Sequence, residues 1–113
     1  MTNFELEYYI KAAEAILDKY PEADGLYAAD ILGTAFLKVL MKRGRKVPEE
    51  FEIISTDGVY ESGNRVINLS AIVQPAEKIA QNMAENIIAQ IEGKKVKKSE
   101  QIDVYMFNGD TTK

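Results

Sequence analysis

The feature that most constrains the fold is an alternation of short apolar runs with longer segments of helical periodicity. The fully apolar run Leu26–Ala29 predicts a buried strand, a helical segment follows it, and Phe51–Ser55 predicts the next strand. This order is typical of a β–α–β crossover, which joins parallel strands and is right-handed in nearly all proteins. The sequence therefore predicts an α/β fold with a mostly parallel sheet flanked by helices.

Three helices are predicted from apolar residues that recur at steps of three and four. Their ends are marked by capping or breaking residues: Thr2 with Glu5 and Pro21 for the first helix, Asp30 and Gly44 for the second, and Gln74-Pro75 and Gly93 for the third. The apolar stripe of the third helix consists of Ala76, Ile79, Ala80, Met83, Ala84, Ile87 and Ile91. Val66–Val73 and Ile102–Phe107 predict two more extended stretches, and the polar tail Asn108–Lys113 is expected to fray.

Composition excludes several classes of function. The 113 residues include no cysteine and no histidine, which rules out disulfides, thiolate nucleophiles and histidine ligands or bases. The net charge of −4 does not favour nucleic-acid binding by this chain on its own. Because no glycine-rich phosphate loop or nucleophile elbow is present, we expect neither an enzyme nor a cofactor or metal site. Residues 1–7 do not resemble a signal peptide, and we expect a cytoplasmic protein without a membrane span.

Two acidic residues follow the first two predicted strands. Asp30 comes after the first strand and Asp57 after the second. The carboxyl ends of parallel strands meet at one edge of a sheet, where α/β proteins bind ligands, so both carboxylates are expected at that edge. Carboxylates accept hydrogen bonds from hydroxyl groups, which suits a polyol such as a sugar.

Simpler explanations stand beside this prediction. Asp30 is also in the position of a helix N-cap, and an aspartate before a glycine, as at Asp57-Gly58, is also typical of a turn. Asp57 after a strand further raises the possibility of a phospho-accepting receiver domain. That chemistry requires a magnesium ion held by neighbouring carboxylates, and the first strand carries none in its body.

Several segments resemble the LacI/GalR family of bacterial transcription regulators in their order and spacing. They are AEAILDKYPEADGLYAAD at 13–30, RGRKVPEEFEIISTD at 43–57, LSAIVQPAE at 69–77, the helix end at 85–93 and NGDTT at 108–112. The resemblance covers nearly the whole chain. Its most specific part is the combination of the VPEE and VQP segments.

The resemblance implies a periplasmic-binding-protein-like fold and a role in transcription. Regulators of this family carry a helix-turn-helix headpiece and two α/β subdomains, with a sugar or related metabolite bound between them. Residues 1–113 are then a single domain, the C-terminal part of the effector-binding domain, without the headpiece and most of the N-terminal subdomain. The expected partners are a carbohydrate effector, a second copy of the chain, and operator DNA through the absent headpiece. The alternative is the sugar-binding protein of an ABC transporter.

The resemblance also implies roles for particular residues. Asp57 matches the family's effector-binding aspartate, Ala29 falls where the family often has an effector-binding asparagine, and Gln74 lies at the crossover beside the cleft. The helix from Asp30 to Arg43 resembles one that lines the family's dimer interface. The sequence departs from the family pattern beside Asp57, where Gly58 replaces a second aspartate and Thr56 replaces an aromatic residue.

The third helix raises a separate expectation. In the family the matching helix packs in the other subdomain, so its apolar stripe needs another surface here. We predict that the chain dimerises or that this helix folds back onto its own sheet.

Overall fold

The structure, a computed structural model, describes residues 3–57 and 67–113. Thr2 of the predicted capping box, Gly58, Val66 and the polar loop 60–64 lie outside the described residues. The elements are α1 Asn3–Lys19, β1 Gly25–Ala29, α2 Asp30–Lys42, β2 Glu52–Asp57, β3 Ser70–Val73, α3 Ala76–Ile91 and β4 Tyr105–Phe107.

The described strands form a four-stranded sheet in the order β1-β2-β3-β4. β1 pairs in parallel with β2, and β2 pairs in parallel with β3. The segment β1–α2–β2 is thus the crossover that the alternation predicts, and the expectation of an α/β fold with mostly parallel strands is confirmed. β4 is shorter than its predicted range, since only Tyr105–Phe107 is extended.

The chain divides into two compact units. The first contains residues 1–73 and 106–113, and the second contains residues 74–105. In the first unit, α2 packs against α1, β1 and β2. Its core is a cluster of buried apolar side chains: Ala13, Leu17, Ala35, Phe36, Leu37, Val39, Leu40, Phe51, Ile53 and Leu69.

Helix α2 provides half of that core because its apolar side chains recur on the face that meets the sheet. The ring of Phe36 stacks on that of Phe51 with 6.2 Å between their centroids. Gly33 faces β2, since a Cβ built there would lie 3.5 Å from Ile53 Cγ2 and from Ser55 Cβ. The predicted helical stripe thus becomes the main packing surface of the first unit.

The two glycines predicted to end helices do so. Gly44 and Gly93 both have φ of 75°, a left-handed conformation that glycine adopts without a steric penalty. After α2, the N–H of Gly44 donates to the carbonyl of Met41 and that of Arg45 to Leu40. This is the Schellman arrangement, which satisfies carbonyls left open at a helix end.

The prediction that Asp30 caps α2 is wrong. The N-cap residue is Ala29, with φ −59° and ψ 153°, and no side-chain hydrogen bond caps the helix. The extended conformation of β1 continues through Ala29, so Asp30 is the first helical residue. Its carboxylate still lies in the first turn, where the helix dipole favours negative charge.

The prediction that the first strand is buried is also wrong. β1 ends the sheet order, and its residues alternate between half-buried and exposed. Tyr27 is 62% exposed, whereas Leu26 packs against the edge of the core. An apolar run does not distinguish a strand covered on both faces from one covered on a single face.

The C-terminal tail is anchored, contrary to the predicted fraying. Thr111 is fully buried, and its hydroxyl donates to the carbonyl of Ile53 at 2.7 Å and accepts from the N–H of Ser70 at 2.9 Å. The N–H of Ile53 donates in turn to the Thr111 carbonyl. The Ser70 hydroxyl accepts from the N–H of Gly109 and bonds the hydroxyl of Thr112. The tail therefore joins β2 to β3.

The second unit is built on α3. No residue of α3 is buried, and four of its large apolar side chains are more than half exposed: Met83, Ile87, Ile88 and Ile91. The predicted stripe exists, and none of its residues is buried in the described chain. Coverage by a second copy stays a prediction.

Candidate functional site

The carboxyl ends of the three paired strands meet in register at one edge of the sheet. Ala29 pairs with Thr56, and Asp57 pairs with Val73. Asp30, the next residue after Ala29, therefore reaches the same edge as Asp57. The sequence prediction that both acids emerge together is confirmed in position, and we call this edge, formed by Ala29, Asp30, Thr56 and Asp57, the acidic rim.

Asp57 has the most unusual backbone of the rim. It is the last residue of β2 and not, as predicted, a residue beyond the strand. Among the described residues other than glycine, it alone has a positive φ, of 80°. Aspartate enters this region more readily than most residues, but the conformation still costs about 1 kcal/mol, and such costs concentrate at functional sites. The half-buried Asp57 is therefore the rim residue with the clearest structural sign of a role.

Asp30 is more enclosed than Asp57. It is only 6% exposed, and its carbonyl accepts a hydrogen bond from the hydroxyl of Thr34 at 2.9 Å. A carboxylate in such a position contributes negative potential at the helix start and offers little surface to a ligand. The ligand role predicted for Asp30 stays a prediction, and Asp57 is the more accessible of the two acids.

The other two predicted site residues differ in what they offer. Ala29 is exposed, and its methyl group can offer apolar contact but no side-chain hydrogen bond. Gln74 is exposed and follows Val73 of β3 directly, as the first residue of the second unit. Its side-chain amide has both a donor and an acceptor.

Sequence patterns did not reveal the hydroxyl groups inside the sheet. Ser55 of β2 is buried and donates to the carbonyl of Ser70 in β3 at 3.5 Å. Alternation along β2 could have placed Ser55 inward with Ile53, but its partner becomes visible only when the two strands pair. These hydroxyls help hold β2, and hence Asp57, in place.

Two searches of the described residues give no further site. Within ranges 3–57 and 67–113, no group of three or more His, Cys, Asp or Glu side chains is placed to hold a metal ion. Over the same residues, no helix is both long and apolar enough to cross a membrane.

Residues 2–112 match the periplasmic binding protein-like domain family. This chain belongs to that family. Solved structures that are similar to the chain share its fold. A LacI family transcriptional regulator from Arthrobacter sp. FB24, in complex with lactose, superposes with a TM-score of 0.83 at 24% identity, over 96% of this chain and 42% of that one.

Curated relatives of this periplasmic binding protein-like domain are transcription regulators. The ribose operon repressor of Bacillus subtilis is 32% identical over 79% of this chain, and the regulator CelR of Thermobifida fusca is 29% identical over 80%. The chain spans 28% and 27% of the lengths of these two proteins. The resemblance to LacI/GalR regulators is thereby confirmed, and these relatives favour a regulator over the transporter alternative.

Proposed function

We propose that this chain is part of the effector-sensing and dimerisation region of a LacI-type transcription repressor, with a sugar or related small metabolite as effector. The observation that carries the proposal is the acidic rim: a parallel sheet brings Asp57, with its positive φ of 80°, to the edge where α/β proteins bind ligands. The names of the relatives support the same function, since one represses a ribose operon and a structural neighbour holds lactose.

The chemistry proposed for the rim is hydrogen bonding without catalysis. The carboxylate of Asp57 accepts hydrogen bonds from two sugar hydroxyls, and Gln74 contributes a donor and an acceptor beside the crossover. Asp30 adds negative potential from the first turn of α2, and Ala29 contacts the apolar side of the ligand. Because Gly58 and Thr56 stand where the family has an aspartate and an aromatic residue, we infer that the hydroxyl pattern recognised here differs from that of typical relatives.

The remaining parts of the proposal concern the whole protein. We propose a cytoplasmic homodimer that reaches operator DNA through a helix-turn-helix headpiece outside this chain and that has no enzymatic activity. In this chain α2 is not free to form the dimer surface with its apolar face, because eight of its residues are buried. We therefore expect the exposed side of α2 around Lys38 to form the contact instead.

The test is thermal denaturation of the natural gene product that carries this sequence, with a panel including ribose, lactose and cellobiose. A ligand that binds only the folded state, at a concentration 100 times its dissociation constant, stabilises that state by about 2.7 kcal/mol. We expect one sugar to raise Tm and the Asp57→Asn variant, which keeps the side-chain shape, to lose that shift.

Asp24→Asn provides the matched control. Asp24 is an exposed acid before β1, at the opposite end of the strands, and its replacement removes the same charge. We expect this variant to keep the full sugar-induced shift. Equal shifts in the wild type and Asp57→Asn would remove Asp57 from the site, and equal losses in both variants would show that only net charge matters.

A further inference from the structure

An open cavity of about 430 Å³ lies where α2 turns into β2, and the proposed sensing function does not use it. Its volume falls within the roughly 300–1,000 Å³ of small-molecule sites. The cavity is lined by the apolar side chains of Met41, Val47 and Ile67 and by the charged side chains of Arg45, Lys46 and Glu49. We call it the loop cavity.

The loop cavity is remote from the acidic rim. Its loop enters the amino end of β2, whereas Asp57 is at the carboxyl end of that strand. Six extended residues separate these ends by roughly 17 Å. A ligand in the loop cavity therefore does not compete for space with an effector at the rim.

The loop is held by its own hydrogen bonds. The N–H of Lys46 donates to the carboxylate of Glu50 at 2.6 Å. The guanidinium of Arg45 donates to the carbonyl of Ala23 at 3.2 Å and lies over the ring of Phe51, 5.2 Å from its centroid. With the helix-ending turn at Gly44, these contacts fix the cavity wall before anything binds. Because the wall is already formed, the protein loses less conformational entropy when a ligand binds.

The lining combines an apolar floor with an excess of one positive charge. Val47 and Ile67 are partly buried against the core, and Met41 is 56% exposed. Arg45 and Lys46 contribute two positive charges and Glu49 one negative charge. Lys46 is exposed, and within the described part of the chain its ammonium makes no hydrogen bond or ion pair, so it is available to an anion.

We propose that the loop cavity binds a small amphipathic monoanion, a single carboxylate on a short aliphatic chain. Lys46 and the N–H groups of Arg45 that do not bond the carbonyls of Ala23 and Glu50 hold the carboxylate, and the aliphatic chain covers Met41, Val47 and Ile67. Glu49 disfavours ligands with several negative charges, because its carboxylate would repel a second negative charge in the same small cavity. A neutral polyol has neither a charge to pair with Lys46 nor an aliphatic chain to cover the apolar side chains, which separates the loop cavity chemically from the acidic rim.

The experiment is a titration of the isotope-labelled chain, followed by the backbone amide spectrum, with hexanoate as the probe. We expect saturable shifts confined to residues 41–50 and 67, with a dissociation constant of about 1–10 mM because the cavity is open. Hexanol lacks the charge and phosphate lacks the chain, so each is expected to bind at least about fivefold more weakly.

Variants decide the assignment. Lys46→Gln is expected to weaken hexanoate binding about fivefold, and Met41→Gln to weaken it about threefold through the lost apolar contact. Lys42→Gln is the matched control, because Lys42 is an exposed neighbouring cation that does not line the cavity. The same spectra show whether each variant is folded. The proposal fails if Lys42→Gln weakens binding as much as Lys46→Gln, if hexanol binds as well as hexanoate, or if the shifts do not saturate.

Discussion

Helices α2 and α3 have similar apolar periodicity and different surroundings. In α2, eight of 13 residues are buried, whereas none of the 16 residues of α3 is. Both helices end in the same way, at a glycine with φ of 75°. The difference shows that helical periodicity determines which face of a helix is apolar, while the partners of that face decide whether the helix stabilises the chain.

The largest expected effect contrasts one apolar side chain from each helix. Phe36→Ala removes a ring that is 1% exposed and stacked on Phe51, so we expect a loss of about 3–5 kcal/mol in the free energy of unfolding. Ile91→Ala removes a side chain that is 80% exposed in the single chain, and in a monomer it should cost less than about 0.5 kcal/mol. Urea denaturation followed by circular dichroism measures both. A large cost for Ile91→Ala would show that a second copy covers α3 in solution.

The next contrast concerns the tail that joins β2 to β3. Thr111→Val keeps the shape of the side chain but leaves the buried carbonyl of Ile53 and the N–H of Ser70 without the hydroxyl. We expect a loss of roughly 1–3 kcal/mol. Thr56→Val, in the same sheet but only half-buried, is the control and should be nearly neutral. If the two variants unfold at the same urea concentration, the tail does not contribute to the stability of the first unit.

Two glycines should respond with opposite signs. At Gly33 an added Cβ meets Ile53 and Ser55 at ordinary contact distance, 3.5 Å, so Gly33→Ala fits and gains about 0.5–1 kcal/mol of helix stability. At Gly93 the space is open but φ is 75°, so Gly93→Ala costs about 1 kcal/mol. Thermal melts at 222 nm compare them. A lower Tm for Gly33→Ala would mean that α2 packs more closely on β2 than these distances indicate.

The smallest effect should be the same in both units. Arg43 pairs with Asp18 at 3.0 Å, and Lys94 pairs with Glu92 at 2.9 Å, with side chains that are 37–70% exposed. Solvent and salt screen such pairs, so Arg43→Gln and Lys94→Gln should each cost at most about 0.5 kcal/mol. Urea midpoints at low and high salt test this. A larger, salt-insensitive loss for Arg43→Gln alone would show that its contact is more enclosed than the distances suggest.

Much of the candidate site could be predicted because it depends on chain order. Consecutive parallel strands bring their carboxyl ends to one edge, so the positions of Asp30 and Asp57 followed from the alternation of strands and helices. The prediction that Asp30 is the N-cap of α2 was wrong for a local reason. The first residue of α2 depends on how far β1 stays extended, and neither Ala29 nor Asp30 reveals this.

The amino-acid sequence alone determined the α/β class, the parallel crossover, the glycine helix ends and the acids at the rim, because these follow from local periodicity and backbone preference. Only the tertiary structure decided that β1 is half-covered, that Thr111 is buried, and that Met41 and Ile67 share a cavity. Those outcomes depend on residues far apart in the chain. The hydrophobicity of a side chain favours its burial, but whether it is buried depends on the neighbours that pack against it.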